Sequence, residues 1–230
     1  MLCRSGALHV LDGSSGQVAH RTMQYAVVQD SGRRCPSSFP VAGLAVCPRD
    51  TALFVLCGQQ NLAVCRAAWT KHAAIHTLAR LSFGAASGAS GISELQQAGS
   101  GTLPASTAAA PPVQAAFSRA HPSHLYCTNP ADPGQLLLFD YGTRAVVKTL
   151  LAPLAGTAGI TALALHPQEE LLAAGTTAGS VLLLRLETEA WAELSAHGEG
   201  EAVAGLAFSA CGRQLFSAAG TATFVWHINA

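Results

Sequence analysis

Hydrophobic positions along this chain fall in short runs of about six residues, divided by turns rich in Pro, Gly, Asp and Ser. Runs that short, bounded by such residues, predict strands and not helices, which need longer amphipathic stretches. Four segments lie over one another: VAGLAVCPRDTALFVLCGQQNLAVCR from Val41, VQAAFSRAHPSHLYCTNPADPGQLLLFD from Val113, ITALALHPQEELLAAGTTAGSVLLLRL from Ile160 and VAGLAFSACGRQLFSAAGTATFVWHI from Val203. Each holds an apolar run, a polar turn, a second run, a turn of small residues and a third run. Before them, GALHVLDGSSGQVAH from Gly6 matches only the third run and the residues after it, so the chain is read as beginning in mid-repeat.

The third runs end near Asp12, Arg66, Asp140, Arg185 and His227, with successive gaps of 54, 74, 45 and 42 residues. The last two gaps match one four-stranded propeller blade, roughly 40–45 residues. The longest gap holds residues 82–112, SFGAASGASGISELQQAGSGTLPASTAAAPP, a low-complexity stretch expected to be a loop between blades. The 54-residue gap leaves room for a second loop around Gln29 to Pro40. The expected fold is therefore all-β, a single propeller domain over residues 1–230 with about four to five four-stranded blades. Because an open propeller exposes unpaired strand edges, the missing blades are expected on an absent N-terminal segment or on another chain, as parts of a larger propeller.

Several motifs are specific. HPQEELLAAG from His166 and SACGRQLFSAAG from Ser209 look like a blade's first hairpin, with a Pro- or Gly-containing turn. FVWHI at Phe224 looks like a Trp-Asp strand end, with Trp226 in the Trp place and His227 replacing the Asp. VLD ending at Asp12 and LFD ending at Asp140 keep the Asp and lose the Trp. On these residues the sequence resembles the WD-repeat proteins over nearly all of its length except the two loops. The resemblance implies that His197 takes the family's His place in the last blade, with Ser217 and Trp226 as partners. It also implies an Asp in the turn before the third strand, where this chain has Ala178-Gly179 and Gly220-Thr221. That network is expected to be incomplete, leaving divergent blades held mainly by apolar packing.

Composition narrows the function. Half of the residues are hydrophobic and 11% are charged, which excludes a mostly disordered chain. Thirteen basic residues balance thirteen acidic ones, and Arg33-Arg34 is the only adjacent basic pair, so no nucleic-acid partner is expected. The uncharged stretch from Thr149 to Gln168 is long enough to span a bilayer, but Pro153, Gly156, Gly159 and His166-Pro167 interrupt it. It is read as a loop and a buried strand, with no membrane partner. No continuous apolar stretch follows Arg4 to make a secretory signal. The seven cysteines include no C-x-x-C pair and predict reduced thiols in a cytoplasmic protein, with Cys57 and Cys65 on neighbouring strands where they can approach each other.

Signals for chemistry are thin. His72 and His76 have metal-ligand spacing on a helix, but no Glu follows His72, and TKHAAIHTLARL reads better as an outer strand. GAASGASG near Gly84 lacks the Lys-Ser/Thr that would cradle phosphate, and no G-x-S-x-G elbow is present. Glu169-Glu170, Glu187, Glu189 and Glu193 read as solvated faces. No catalytic residue, cofactor or metal is assigned. The resemblance implies a protein–protein interaction scaffold, cytoplasmic, within a ciliary or microtubule-associated assembly. The alternatives are a propeller hydrolase or lyase with a channel-mouth site, and a segment that completes a larger propeller.

Overall fold

The structure is a computed structural model, and it describes residues 41–68, 74–83, 111–154, 158–168, 170–195, 197–198 and 200–228, with the backbone of four short strands ahead of them. Those four are β1 (Leu8–Leu11), β2 (Val18–Thr22), β3 (Ala26–Val28) and β4 (Arg34–Pro36). Every further element among the described residues is also a strand. They are β5 (Gly43–Val46), β6 (Leu53–Cys57), β7 (Asn61–Ala68), β8 (Ala74–Ser82), β9 (Ala115–Phe117), β10 (His124–Thr128), β11 (Gln135–Asp140) and β12 (Ala145–Leu151). After these come β13 (Ile160–Leu165), β14 (Leu171–Thr176), β15 (Ser180–Arg185), β16 (Ala190–Ser195), β17 (Val203–Phe208), β18 (Gln214–Ala219) and β19 (Ala222–His227).

Consecutive strands pair antiparallel into four sheets: β5–β8, β9–β12, β13–β16 and the three-stranded β17–β19. The first strands β5, β9, β13 and β17 neighbour one another in chain order, which makes the architecture a four-bladed β-propeller. The repeat read from the sequence survives in the register. Arg66, Asp140, Arg185 and His227 pair with Leu53, His124, Leu171 and Gln214, in each case the first residue of the second strand.

Burial explains why the runs look continuous. The second strands β6 and β14 are buried along their whole length, so both of their faces are apolar. The fourth strands β12 and β16 lie at the rim and alternate only weakly, with most of their residues exposed. Three apolar layers join the blades. Val55, Val64 and Leu81 meet Leu125, Cys127 and Phe139; Leu136 and Leu150 meet Leu172, Leu182 and Leu184; Ala162, Ala173 and Val181 meet Val203, Leu215 and Trp226. Beyond these layers the two ends differ. Phe54, Leu56 and Cys65 on the first blade are buried, whereas Phe216 and Val225 on the fourth are 37% and 49% exposed.

Two expectations need correction. Within the loop expected around Gln29 to Pro40, Arg34–Pro36 form β4, which pairs with β3, and β3 in turn lies parallel to the rim strand β8. A free strand edge presents unpaired N–H and C=O groups, and local sequence gives little warning of which segment will take them. Cys57 and Cys65 do not approach each other: Cys57 faces the layer shared with Cys127, and Cys65 points to the opposite face. Side chains alternate across a strand, so two neighbouring strands bring residues together only when the register matches their parity. The final blade contains three described strands, as its three apolar runs predict. Of the loop 82–112, residues 84–110 lie outside the described residues, while Phe83 is packed into the first layer and the Val113 N–H donates to the Gly58 carbonyl.

Candidate functional site

The polar residues singled out in the last blade come together. Ser217 sits in the middle of β18 and Trp226 near the end of β19, diagonal neighbours on the face turned toward the third blade. The Trp226 indole N–H donates to Ser217 Oγ at 2.9 Å, and His197 Nε2 lies 2.9 Å from the same oxygen. Phe224 packs edge-on against the His197 ring, 4.8 Å between centroids. His197 Nδ1 is buried with no hydrogen-bond partner among the described residues. The Ser217 and Trp226 positions do not recur: register places Leu56 and Cys65, Cys127 and Phe139, and Ala174 and Leu184 where the last blade has them. The other described blades close on apolar side chains instead.

The remaining motif residues stand apart from this cluster. Asp12 lies outside the described residues. Asp140 ends β11 and caps the following turn, accepting from the Gly142 N–H at 2.8 Å and the Thr143 hydroxyl at 2.9 Å. Desolvation works to raise its pKa, but the bonds from Ser123, Gly142 and Thr143 outweigh it and hold the carboxyl below its ordinary value. It is therefore a charged turn cap beside His124, whose Nε2 is 3.9 Å away.

A hydroxyl and an imidazole at 2.9 Å also make the beginnings of a nucleophile and base. Here Ser217 is fully buried, its oxygen already accepts a hydrogen bond from the indole N–H, and among the described residues no carboxylate pairs with His197 Nδ1. The pair holds β18, β19 and the preceding loop together. Among the described residues, no group of three His, Cys, Asp or Glu side chains is placed to hold a metal ion, and no helix is long and apolar enough to cross a membrane.

No family model matches the chain, and no curated protein matches it either. The propeller architecture rests on the strand pairing and layering described above.

Beside Trp226 lies a groove of about 350 Å³ between the rims of the third and fourth blades. Its walls include Leu183, Arg185, Trp191, Ala192 and Leu194 from one side and Trp226, His227 and Ile228 from the other. Among the described residues no strand pairs with the outer edge of β19, whereas β7, β11 and β15 are covered by β8, β12 and β16. Phe224 is 36% exposed, and Leu182, at the same register position in the third blade, is 2% exposed. Sequence reasoning singled out Trp226 and missed the opposite wall. Leu183 and Leu194, whose side chains face the fourth blade, read in the sequence as ordinary strand residues and gave no signal.

Proposed function

We propose that this chain is a non-catalytic protein–protein interaction scaffold of the WD-repeat type. The observation that carries the reading is the outer face of the fourth blade. Phe216 and Val225 are cross-strand neighbours there and both are exposed, while Ala173, the register equivalent of Phe216, is fully buried against a neighbouring blade. Leu44 and Val46 on β5 add exposed apolar side chains at the other end of the array. Contiguous exposed apolar surface on a rigid scaffold marks a place where another protein packs. The buried, fully engaged Ser217 supports a structural role for the one hydroxyl–imidazole pair in the last blade.

The WD-repeat assignment rests on the motif residues Asp140, His197, Ser217 and Trp226. Within that class, a cytoplasmic ciliary or microtubule-associated assembly is the subclass the resemblance points to, and co-sedimentation with polymerised tubulin tests it. The same apolar face also fits the second reading, in which these blades complete a larger propeller and Phe216 and Val225 pack on a further blade.

The deciding experiment is quantitative cross-linking in cells with the full chain and its F216E/V225E variant. Partners that drop out with the variant, while its thermal unfolding stays cooperative, support the scaffold. A cross-linking profile unchanged by two charges on that face would sink it.

A further inference from the structure

Charge is divided unevenly along this chain although it sums to zero. Residues 1–154 carry eleven basic and six acidic side chains, an excess of five positive charges, whereas residues 155–230 carry two and seven, an excess of five negative charges. The division falls in the loop between β12 and β13, so the part of the chain holding the first two blades is basic and the rest acidic.

Topology gathers many of these charges at one end of the propeller. In an antiparallel blade the turn between first and second strands and the turn between third and fourth lie at the same end. Arg49 and Arg119 stand in turns of the first kind, Arg144 stands in one of the second kind, and Arg66 lies toward that end of β7. In the third blade Glu170, Glu187 and Glu189 hold the matching places. All seven are exposed. Contacts between blades align these ends: Tyr141 packs on the layer that holds Cys47, Lys148 pairs with Glu189, and His166 meets Phe208 edge-on at 5.2 Å. The exceptions on the basic half are Asp50, bonded to Arg66 at 2.9 Å, and Asp140, bound into its own turn. Those on the acidic half are Arg185 and Arg213. At the opposite end, the turns between second and third strands hold Gln59-Gln60, Ala178-Gly179 and Gly220-Thr221, with Asp132 their one charge among the described residues.

A face that is basic on one half and acidic on the other is complementary to itself. Two copies that meet through it about a twofold axis between the halves set each basic half over an acidic one, and every pair occurs twice. A uniformly charged occupant, such as nucleic acid or an anionic bilayer, loses over one half what it gains over the other. A second copy matches both.

We propose that this chain forms a twofold dimer through this end of its blades, with Arg49, Arg119 and Arg144 of one copy facing Glu170, Glu187 and Glu189 of the other. The surface is separate from the Phe216 and Val225 face, so the dimer goes beyond the scaffold reading and does not depend on it. Exposed charge pairs are weak singly, each changing affinity by about two- to fivefold, so the contact orients pairing and responds to salt.

Sedimentation velocity of the full chain tests this. At about 0.05 M salt a monomer–dimer equilibrium is expected, weakened at least about tenfold at about 0.5 M, where the screening length falls below about 5 Å. Two charge-reversed variants, R49E/R119E and E170R/E187R, should each be monomeric at low salt, and an equimolar mixture of them should dimerise. The four residues are exposed, so both variants are expected to keep the wild-type melting temperature. A wild type that stays monomeric at low salt overturns the proposal, as does a dimer that either variant leaves intact, or a mixture that stays monomeric. A monomeric wild type that binds polyglutamate, with R49E/R119E losing it, also overturns the dimer and gives the basic half to an acidic partner. A dimer insensitive to salt and lost in F216E/V225E overturns it too, placing the contact on the apolar face.

Discussion

Trp226 and Ser217 are tied across β18 and β19 by an indole N–H donated to a fully buried hydroxyl oxygen at 2.9 Å. That oxygen is the indole's hydrogen-bond partner, and His197 Nε2 lies 2.9 Å from the same atom. Ser217→Ala is expected to cost about 1–3 kcal/mol, the penalty for leaving a buried donor unsatisfied. The loss should shrink when Trp226 is already Phe, because groups that share a partner do not contribute additively. Urea unfolding of the wild type, both single variants and the double variant measures the coupling. Strict additivity would show that the bond adds nothing to stability.

Gly175 sets how closely the third and fourth blades approach. A Cβ at this position would lie 2.5 Å from Val203 Cγ1 and 2.7 Å from Val203 Cβ, too close for either to remain in place. The Thr161 hydroxyl fixes the same junction by donating to the Val203 carbonyl at 2.7 Å. Gly175→Ala is expected to destabilise the chain by about 1–3 kcal/mol through overpacking. Gly43→Ala, whose Cβ would make ordinary contact at 3.5 Å with Cys57, serves as the control and should lose much less in the same denaturation experiment.

Arg144 and Glu189 occupy matching places in the turns before β12 and β16, with φ of 61° and 56°. Left-handed backbone is strained for residues with a side chain, and glycine relieves that strain. Gly16 stands at the same distance after Asp12 in the N-terminal repeat. Arg144→Gly should therefore raise stability by about 0.5–1 kcal/mol, read as a higher urea midpoint with unchanged slope. A lower midpoint would mean that the Arg144 side chain contributes more than its backbone costs.

The thiols give a pH dependence with a definite sign. Burial pushes Cys57 up from 9.0 to about 12, and Cys65 to about 11 against the opposing pull of Thr77 and Arg80. Cys127, also raised by burial and further by Cys57, follows the same direction. An unfolded chain releases these protons near the ordinary value while the folded chain keeps them. The stabilisation is thus complete below about pH 9 and is lost as pH climbs toward about 12. Unfolding free energy should fall between about pH 8.5 and 10.5, and Cys57→Ala should flatten that slope; a slope unchanged by the substitution would refute the assignment. Exposed Cys211 goes the other way, lowered mainly by the Ser209 hydroxyl, and among the five described cysteines it should alkylate first at neutral pH.

Much of the fold was legible because its signals are local. A strand's apolar run, its flanking turn residues and the spacing of its repeat lie within one stretch of chain. The ends at Arg66, Asp140, Arg185 and His227 therefore fell into register as soon as the sheets formed. The His197, Ser217 and Trp226 grouping was legible through resemblance, although its geometry depends on strand parity across two hairpins. Parity also misled the reading of Cys57 and Cys65, since neighbouring strands can send two residues to opposite faces.

By itself, then, the sequence determined the strands, their turns and the number of residues per blade, all properties of contiguous segments and their steric preferences. Tertiary structure decided which faces are covered. That Leu183, Leu194 and Trp226 wall one groove, that Phe216 is exposed where Ala173 is buried, and which described strands pair all depend on which distant strand lies alongside. Burial is a property of pairs of surfaces, and a run of apolar residues reads the same whether or not its neighbour is present.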